Sequence, residues 1–219
     1  MIHNNKHIAI GVALAVLFSV PPVLASGEDT DTIKRGGGFT GNPFAGKKIS
    51  QICQVCHGVD GNSTDELIPK LAGQFPGYIS KQFRNFQDGS RSHEIPDGIV
   101  PPVNDIELDD NSAYFANQPR MKGSGSSPNQ RGYQIFTKGI RSQKVIPCIF
   151  CHGVGGKGLD SNIAMYPVIG GQHKSYLLKQ LRDFRGKNRV NSPSDIMNKI
   201  AKSLSDEDIE ALAEYISSL

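Results

Sequence analysis

No cysteine stands outside two short repeats, no apolar run reaches the length of a membrane span, and no stretch alternates apolar and polar residues as a half-buried strand would. A spanning helix needs about 20 apolar residues; the longest run here, Ile8 to Val20, holds 13. Net charge is also scarce, at +3 from 24 Lys/Arg against 21 Asp/Glu. With 37% hydrophobic and 21% charged residues, the composition excludes an intrinsically disordered or collagen-like chain.

What is present begins with the leader. A short polar start carrying Lys6 precedes the apolar run, and Val23-Leu24-Ala25 offers a small-residue cleavage site, so residues 1–25 read as a secretory signal, with a retained anchor as the alternative. Cleavage after Ala25 leaves 194 residues, room for one medium domain or two small ones. Charge is unevenly spread: Ser26 to Gln118 holds 8 basic against 13 acidic residues, Pro119 to Leu219 holds 15 against 8. An exported chain with no aromatic stacking motif gives no reason to expect nucleic acid; the imbalance suits orientation of a docking partner.

All four cysteines lie in two copies of one pattern, Cys53-Gln54-Val55-Cys56-His57 and Cys148-Ile149-Phe150-Cys151-His152. Two disulfides, a redox dithiol or half a zinc site could each use paired cysteines. None of them needs a histidine directly after each pair, whereas Cys-x-x-Cys-His is the attachment signature of c-type haem. On a helical turn positions i, i+3 and i+4 share a face, so two thiols can reach the vinyl groups while the imidazole reaches the iron. Two covalent haem c groups are therefore expected, on Cys53, Cys56, Cys148 and Cys151, with His57 and His152 as proximal iron ligands.

The duplication extends beyond the motifs. Leu71-Ala72-Gly73-Gln74 with Tyr78, Lys81, Gln82, Arg84, Phe86 and Arg91 recurs 98 residues later as Ile169-Gly170-Gly171-Gln172 with Tyr176, Lys179, Gln180, Arg182, Phe184 and Arg189. Asp105 to Phe115 recurs as Asp206 to Ile216, 101 residues on. Each copy supports three helices: one running into the Cys motif from Ala45 or Tyr133, a Tyr-Lys-Gln helix, and a last helix opened by Asn104 with Glu107 or by Ser205 before Asp206, Glu207 and Asp208. The expected organisation is a signal over 1–25, an irregular arm over 26–43, a first domain over 44–118, a flexible Gly/Ser/Pro linker over 119–130 and a second domain over 131–219.

Together, Cys-x-x-Cys-His-Gly, Pro69-Lys70-Leu71-Ala72-Gly73-Gln74 or Pro167-Val168-Ile169-Gly170-Gly171-Gln172, the Tyr-Lys-Gln helix and the acid-capped final helix resemble the cytochrome c4 family over nearly all of the mature chain. The resemblance implies an all-α protein of two tandem class I cytochrome c domains, each wrapped round one covalent haem c. It also implies a periplasmic electron carrier, soluble or loosely membrane-associated, that passes electrons from a quinol-oxidising complex towards terminal oxidases or reductases. Its partners would then be redox proteins, membrane respiratory complexes among them, with no small-molecule substrate. By the same resemblance Pro69 and Pro167 offer their backbone carbonyls to the proximal imidazoles, and a methionine ahead of the last helix is the sixth iron ligand, which is Met197 in the second copy.

The first copy departs from this pattern. The place corresponding to Met197 holds Pro96, which has no side-chain ligand, and no methionine lies elsewhere in that copy. His93 in the same loop is the candidate substitute, with an open sixth position as the alternative. Bis-imidazole ligation lowers a haem's potential relative to thioether ligation, and an open iron could bind a small gas or react with peroxide. A dihaem peroxidase or gas-binding protein is thus the rival to an electron carrier. His173, directly after Gln172, reads as surface or haem-edge packing.

Overall fold

The computed structural model describes residues 1, 33–34, 40–92, 101–126, 128–159 and 165–219. Apart from Met1, all of these belong to the compact unit Asp31–Leu219. The expected leader beyond Met1, and the loop carrying His93 and Pro96, lie outside the described residues.

The chain is helical. Around the first motif come α1 (Pro43–Ile49), α2 (Gln51–His57), α3 (Pro76–Gln87) and α4 (Asp105–Ala116). Around the second come α5 (Gln130–Lys138), α6 (Ile149–His152), α7 (Lys174–Gly186), α8 (Ile196–Ala201) and α9 (Asp206–Ser218). Sequence periodicity signals no strand, yet the arm forms one two-residue antiparallel pair, Ile33↔Gly41 and Lys34↔Thr40, too short to show an alternating pattern.

Capping sets the helix starts. Asn42 accepts from Phe44 N and Ala45 N with Pro43 at the first helical position, so α1 begins two residues before Ala45. Asn104 with Glu107 and Ser205 with Asp208 form the two capping boxes foreseen from the sequence. In each half the first helix packs on the last, α1 on α4 and α5 on α9. The approach is close enough to require glycine. A Cβ on Gly46 would strike the Asp110 carbonyl and Tyr114; one on Gly132 would lie 2.6 Å from Tyr215 Cβ and nearer still to the Ala211 carbonyl.

The two halves are unequal inside. Ile135, Phe136, Leu177, Leu204, Ile209, Leu212 and Ile216 belong to one large cluster in the second, whereas Ile79, Tyr114 and Phe115 alone make the buried cluster of the first. A third cluster, Phe75, Met121 and Val168, joins the halves. Met121 is 4% exposed, so the expected linker does not run free there. Its backbone is pinned by Met121 N to Ala72 O (3.1 Å), Gly123 N to Leu219 O (2.8 Å) and Ser124 N to Ser217 O (3.0 Å). Composition signals the flexibility of an isolated segment; it is silent on the backbone acceptors another element supplies. Among the described residues no helix is long and apolar enough to cross a membrane.

Gly132→Ala overpacks the α5–α9 crossing and is expected to cost about 1–3 kcal/mol. A thermal melt of the variant showing an unchanged midpoint would count against the close crossing.

Candidate haem sites

Both motifs end their helix in the same way. His57 closes α2 and His152 closes α6, and each is followed by a glycine at positive φ, Gly58 at 82° and Gly153 at 72°, where a side chain would be strained. The chain then turns back so that a proline carbonyl reaches the imidazole. His57 Nδ1 lies 2.8 Å from Pro69 O and His152 Nδ1 2.9 Å from Pro167 O. Carbonyl oxygens only accept, so the proton sits on Nδ1 and Nε2 carries the lone pair. Among the described residues Nε2 of neither ring has a hydrogen-bond partner. Burial holds both imidazoles below the ordinary histidine range against the opposing pull of the carbonyls, which keeps them neutral as ligation requires.

The cysteines do not suit the rival chemistries. All four are free. Burial raises the Cys53 thiol, and pushes Cys148 up to about 12. A redox dithiol or a zinc thiolate needs the opposite shift. Among the described residues no three His, Cys, Asp or Glu side chains gather to hold a metal ion. Unbridged cysteines one helical turn apart, beside a neutral imidazole whose Nε2 has no partner among the described residues, fit covalent attachment of a porphyrin.

Between the halves lies a second feature that fits the same group. Arg91, 8% exposed, donates to Gln82 Oε1 at 2.7 Å and across the divide to Tyr176 Oη and Gln180 Oε1, both at 3.0 Å. Arg189, 7% exposed, mirrors it, donating to Gln180 Oε1 at 2.7 Å and across to Tyr78 Oη and Gln82 Oε1, both at 3.1 Å. Each guanidinium also lies over its own phenyl ring, Phe86 at 4.6 Å and Phe184 at 4.4 Å. For Tyr176 burial works upward, but the two arginines outweigh it and hold the phenol below its ordinary value. Neither arginine has a carboxylate within 4.0 Å among the described residues. Asp183 acts favourably on Arg189 only from beyond that distance; buried charge without a direct ion pair is costly, and each haem would bring two carboxylates.

Gln74 and Gln172 complete the symmetry. Gln74 accepts from Val168 N (2.9 Å) and donates to Val168 O (2.8 Å); Gln172 accepts from Lys70 N (2.9 Å) and donates to Lys70 O (3.0 Å). Each amide thus grips, in the opposite half, the residue directly after the proline that faces the histidine. His173 joins this divide, its Nε2 donating to Ser63 O at 3.0 Å. It is an inter-half latch, a role its sequence position did not suggest.

Met197 sits on α8, half-buried, its N–H donating to Ser192 Oγ at 3.2 Å. The approach is unusual: Ser194 and Asp195 are successive left-handed residues, φ 49° and 54°, and Lys199 Nζ fixes the Ser194 carbonyl at 2.8 Å. The sequence reading placed a loop here and missed α8, because six residues are too few for a periodic signal. His93 lies outside the described residues.

Residues 129–219 match the family model described as Cytochrome c. The chain is 38% identical to cytochrome c4 of Pseudomonas aeruginosa over 82% of its length and 89% of that protein. It is 32% identical to the thiosulfate dehydrogenase electron acceptor of Stutzerimonas stutzeri, over 95% of this chain and 93% of that one. Among solved structures, reduced recombinant cytochrome c4 from Pseudomonas stutzeri superposes with a TM-score of 0.71 at 37% identity, covering 82% of this chain and 99% of that one.

Arg189→Leu removes four hydrogen bonds at the divide, to Gln180, Tyr78, Gln82 and Asn191. The expected loss is about 2–5 kcal/mol, read by thermal denaturation of the haem-loaded protein; a loss below about 1 kcal/mol would show that the network is not a stabilising element.

Proposed function

The chain belongs to the cytochrome c4 family, and from that premise we propose that it is a periplasmic dihaem electron carrier whose two haems are held by Cys53, Cys56 and His57 and by Cys148, Cys151 and His152. When bound, haem c supplies a one-electron ferric/ferrous couple. The observation that carries the reading is the duplicated arrangement in which each Cys-x-x-Cys-His turn presents a neutral imidazole, its Nδ1 bonded to the carbonyl of Pro69 or Pro167. That bond fixes the ring and makes Nε2 more basic.

The chain's remaining work is positional. The cysteines would tether the ring, the proline carbonyls orient the imidazoles, and Met197, on the helix entered through the clamped turn, would be the sixth ligand of the second iron. At the first iron, with Pro96 in the corresponding place, His93 or an open position remains. In this reading residues 44–118 and 131–219 are the two cytochrome domains and 119–130 joins them. Arg91 and Arg189 would supply positive charge to haem carboxylates brought near them.

Partners follow from charge. The second motif is flanked in the chain by exposed Lys138, Arg141, Lys144 and Lys157, and Phe150 and Val154 beside it are exposed too. The first is flanked by exposed Asp60, Asp65 and Glu66. The two ends therefore meet different redox proteins, a quinol-oxidising complex or soluble dehydrogenase on one side and a terminal oxidase or reductase on the other.

The purified holoprotein is expected to carry a mass two haems above the polypeptide and to titrate in two one-electron waves. Met197→His should lower one wave and leave the other, since imidazole in place of thioether lowers the potential. Electron transfer to a natural partner should slow as salt rises. A colourless, iron-free product would overturn the assignment. A high-spin ferric band, or carbon monoxide binding to the reduced first haem, would favour the gas-binding or peroxidase reading instead.

A further inference from the structure

Helix α8, which carries Met197, has little of its own to hold it. It has six residues, its cap residue Asp195 makes no side-chain hydrogen bond to the helix, and it is entered through two left-handed residues. A helix this short is not stable by itself. Its far end is fastened by burial, with Ala201 fully buried and Ile200 packed on the core of the second half. The end bearing Met197 follows directly on exposed Ser194 and Asp195 and is fastened in another way.

Asn198 is that fastening. Only 8% of it is exposed, and its Nδ2 donates to the Phe184 carbonyl and to the Arg189 carbonyl, both at 2.7 Å. The two N–H groups of the amide are thus both used. The acceptors are themselves held: the Arg189 guanidinium lies over the Phe184 ring at 4.4 Å and donates across the divide to Tyr78 and Gln82. The residue directly after Met197 is therefore tied to backbone that the divide keeps in place. Met197 itself is held through its N–H, which donates to Ser192 Oγ at 3.2 Å.

The first copy loses the ligand and the anchor together. Pro96 stands at the place of Met197 and Asp97 at that of Asn198. An ionised carboxylate has no N–H to donate. An anchor needed only to order the loop would be wanted in both copies, whereas one that serves the ligand is dispensable where the ligand is gone.

We propose that Asn198 holds Met197 in place as the sixth ligand of the second haem. A thioether is a weak, neutral ligand, and a stronger one displaces it when the segment that bears it swings away. The two buried hydrogen bonds oppose that movement, because it would strip partners from two carbonyls and an amide at once. Asn198 acts through the backbone beside Met197 and is a positioning residue. The inference rests on the haem reading and on ligation by Met197, and it deepens them by naming what keeps the ligand on the iron.

The test is a titration of the ferric holoprotein with imidazole, followed through the thioether-to-iron charge-transfer band, which a haem without a methionine ligand does not show. In Asn198→Ala imidazole is expected to abolish the band at a concentration about tenfold or more below that needed by the wild type. Gly132→Ala, which loosens the α5–α9 crossing instead, is expected to keep the wild-type midpoint. Should the alanine variant fail to fold, Asn198→Ser can keep at most one of the two bonds and carries the same sign, at roughly threefold. A midpoint unchanged in the Asn198 variant that folds, or one shifted as far in Gly132→Ala, overturns the inference and makes Asn198 structural. A wild-type protein that is colourless overturns the haem reading, and one that is coloured but lacks the band overturns ligation by Met197, so the failures are told apart.

Discussion

The structure depends on the grip of two glutamine amides across the divide. Gln74 satisfies both backbone groups of Val168, and Gln172 satisfies both of Lys70. Those residues directly follow Pro167 and Pro69, whose carbonyls receive the histidine protons. The orientation of each imidazole is thus set partly by the opposite half. Separating the halves would leave four backbone groups and two amides without partners, a penalty that compounds with each unmade bond. This is why Asp31–Leu219 forms one compact unit despite its evident duplication.

The arginine network has the same exchange symmetry but a different physical character. Glutamine and backbone are neutral and fully paired, so their contact is complete without any added group. Arg91 and Arg189 are buried, stacked and well hydrogen-bonded, yet they hold two positive charges with no carboxylate within 4.0 Å among the described residues, Asp183 acting on Arg189 from farther off. A polypeptide alone has little reason to bury charge that way. An anionic group would complete the arginine network, whereas the glutamine contact needs none.

Much of this was legible in the chain itself. The Cys-x-x-Cys-His pairs, the repeat offsets and the capping residues Asn104 and Ser205 each depend on a handful of neighbouring positions, and local rules read them directly. The Tyr, Gln and Arg positions were visible as a repeat, but their purpose was not: that Arg91 bonds Tyr176 and Arg189 bonds Tyr78 depends on how two copies face each other, which no local spacing encodes. Met121 and His173 were misjudged for the same reason, since each finds its partners more than fifty residues away in Gln172 and Ser63. The need for glycine at positions 46 and 132 is likewise set by the crossing helices and not by local spacing. Helix α8 escaped because it is short and is entered through two left-handed residues that no propensity favours.

The pattern of likeness and difference between the halves is itself informative. What faces the divide is alike: glutamine for glutamine, tyrosine for tyrosine, arginine for arginine. What lies elsewhere is unlike: in the repeat Pro96 corresponds to Met197 and Asn111 to Leu212, and a cluster of three buried apolar residues corresponds to one of ten. An interface with exchange symmetry needs both sides unchanged, because altering one glutamine or arginine strips partners from its counterpart. The other positions carry no such constraint, since none has to match a counterpart across the divide. A duplicated fold can therefore hold two centres at fixed mutual geometry while their potentials diverge, and the smaller apolar core of the first half means that burial of the porphyrin contributes proportionally more to its stability than to that of the second.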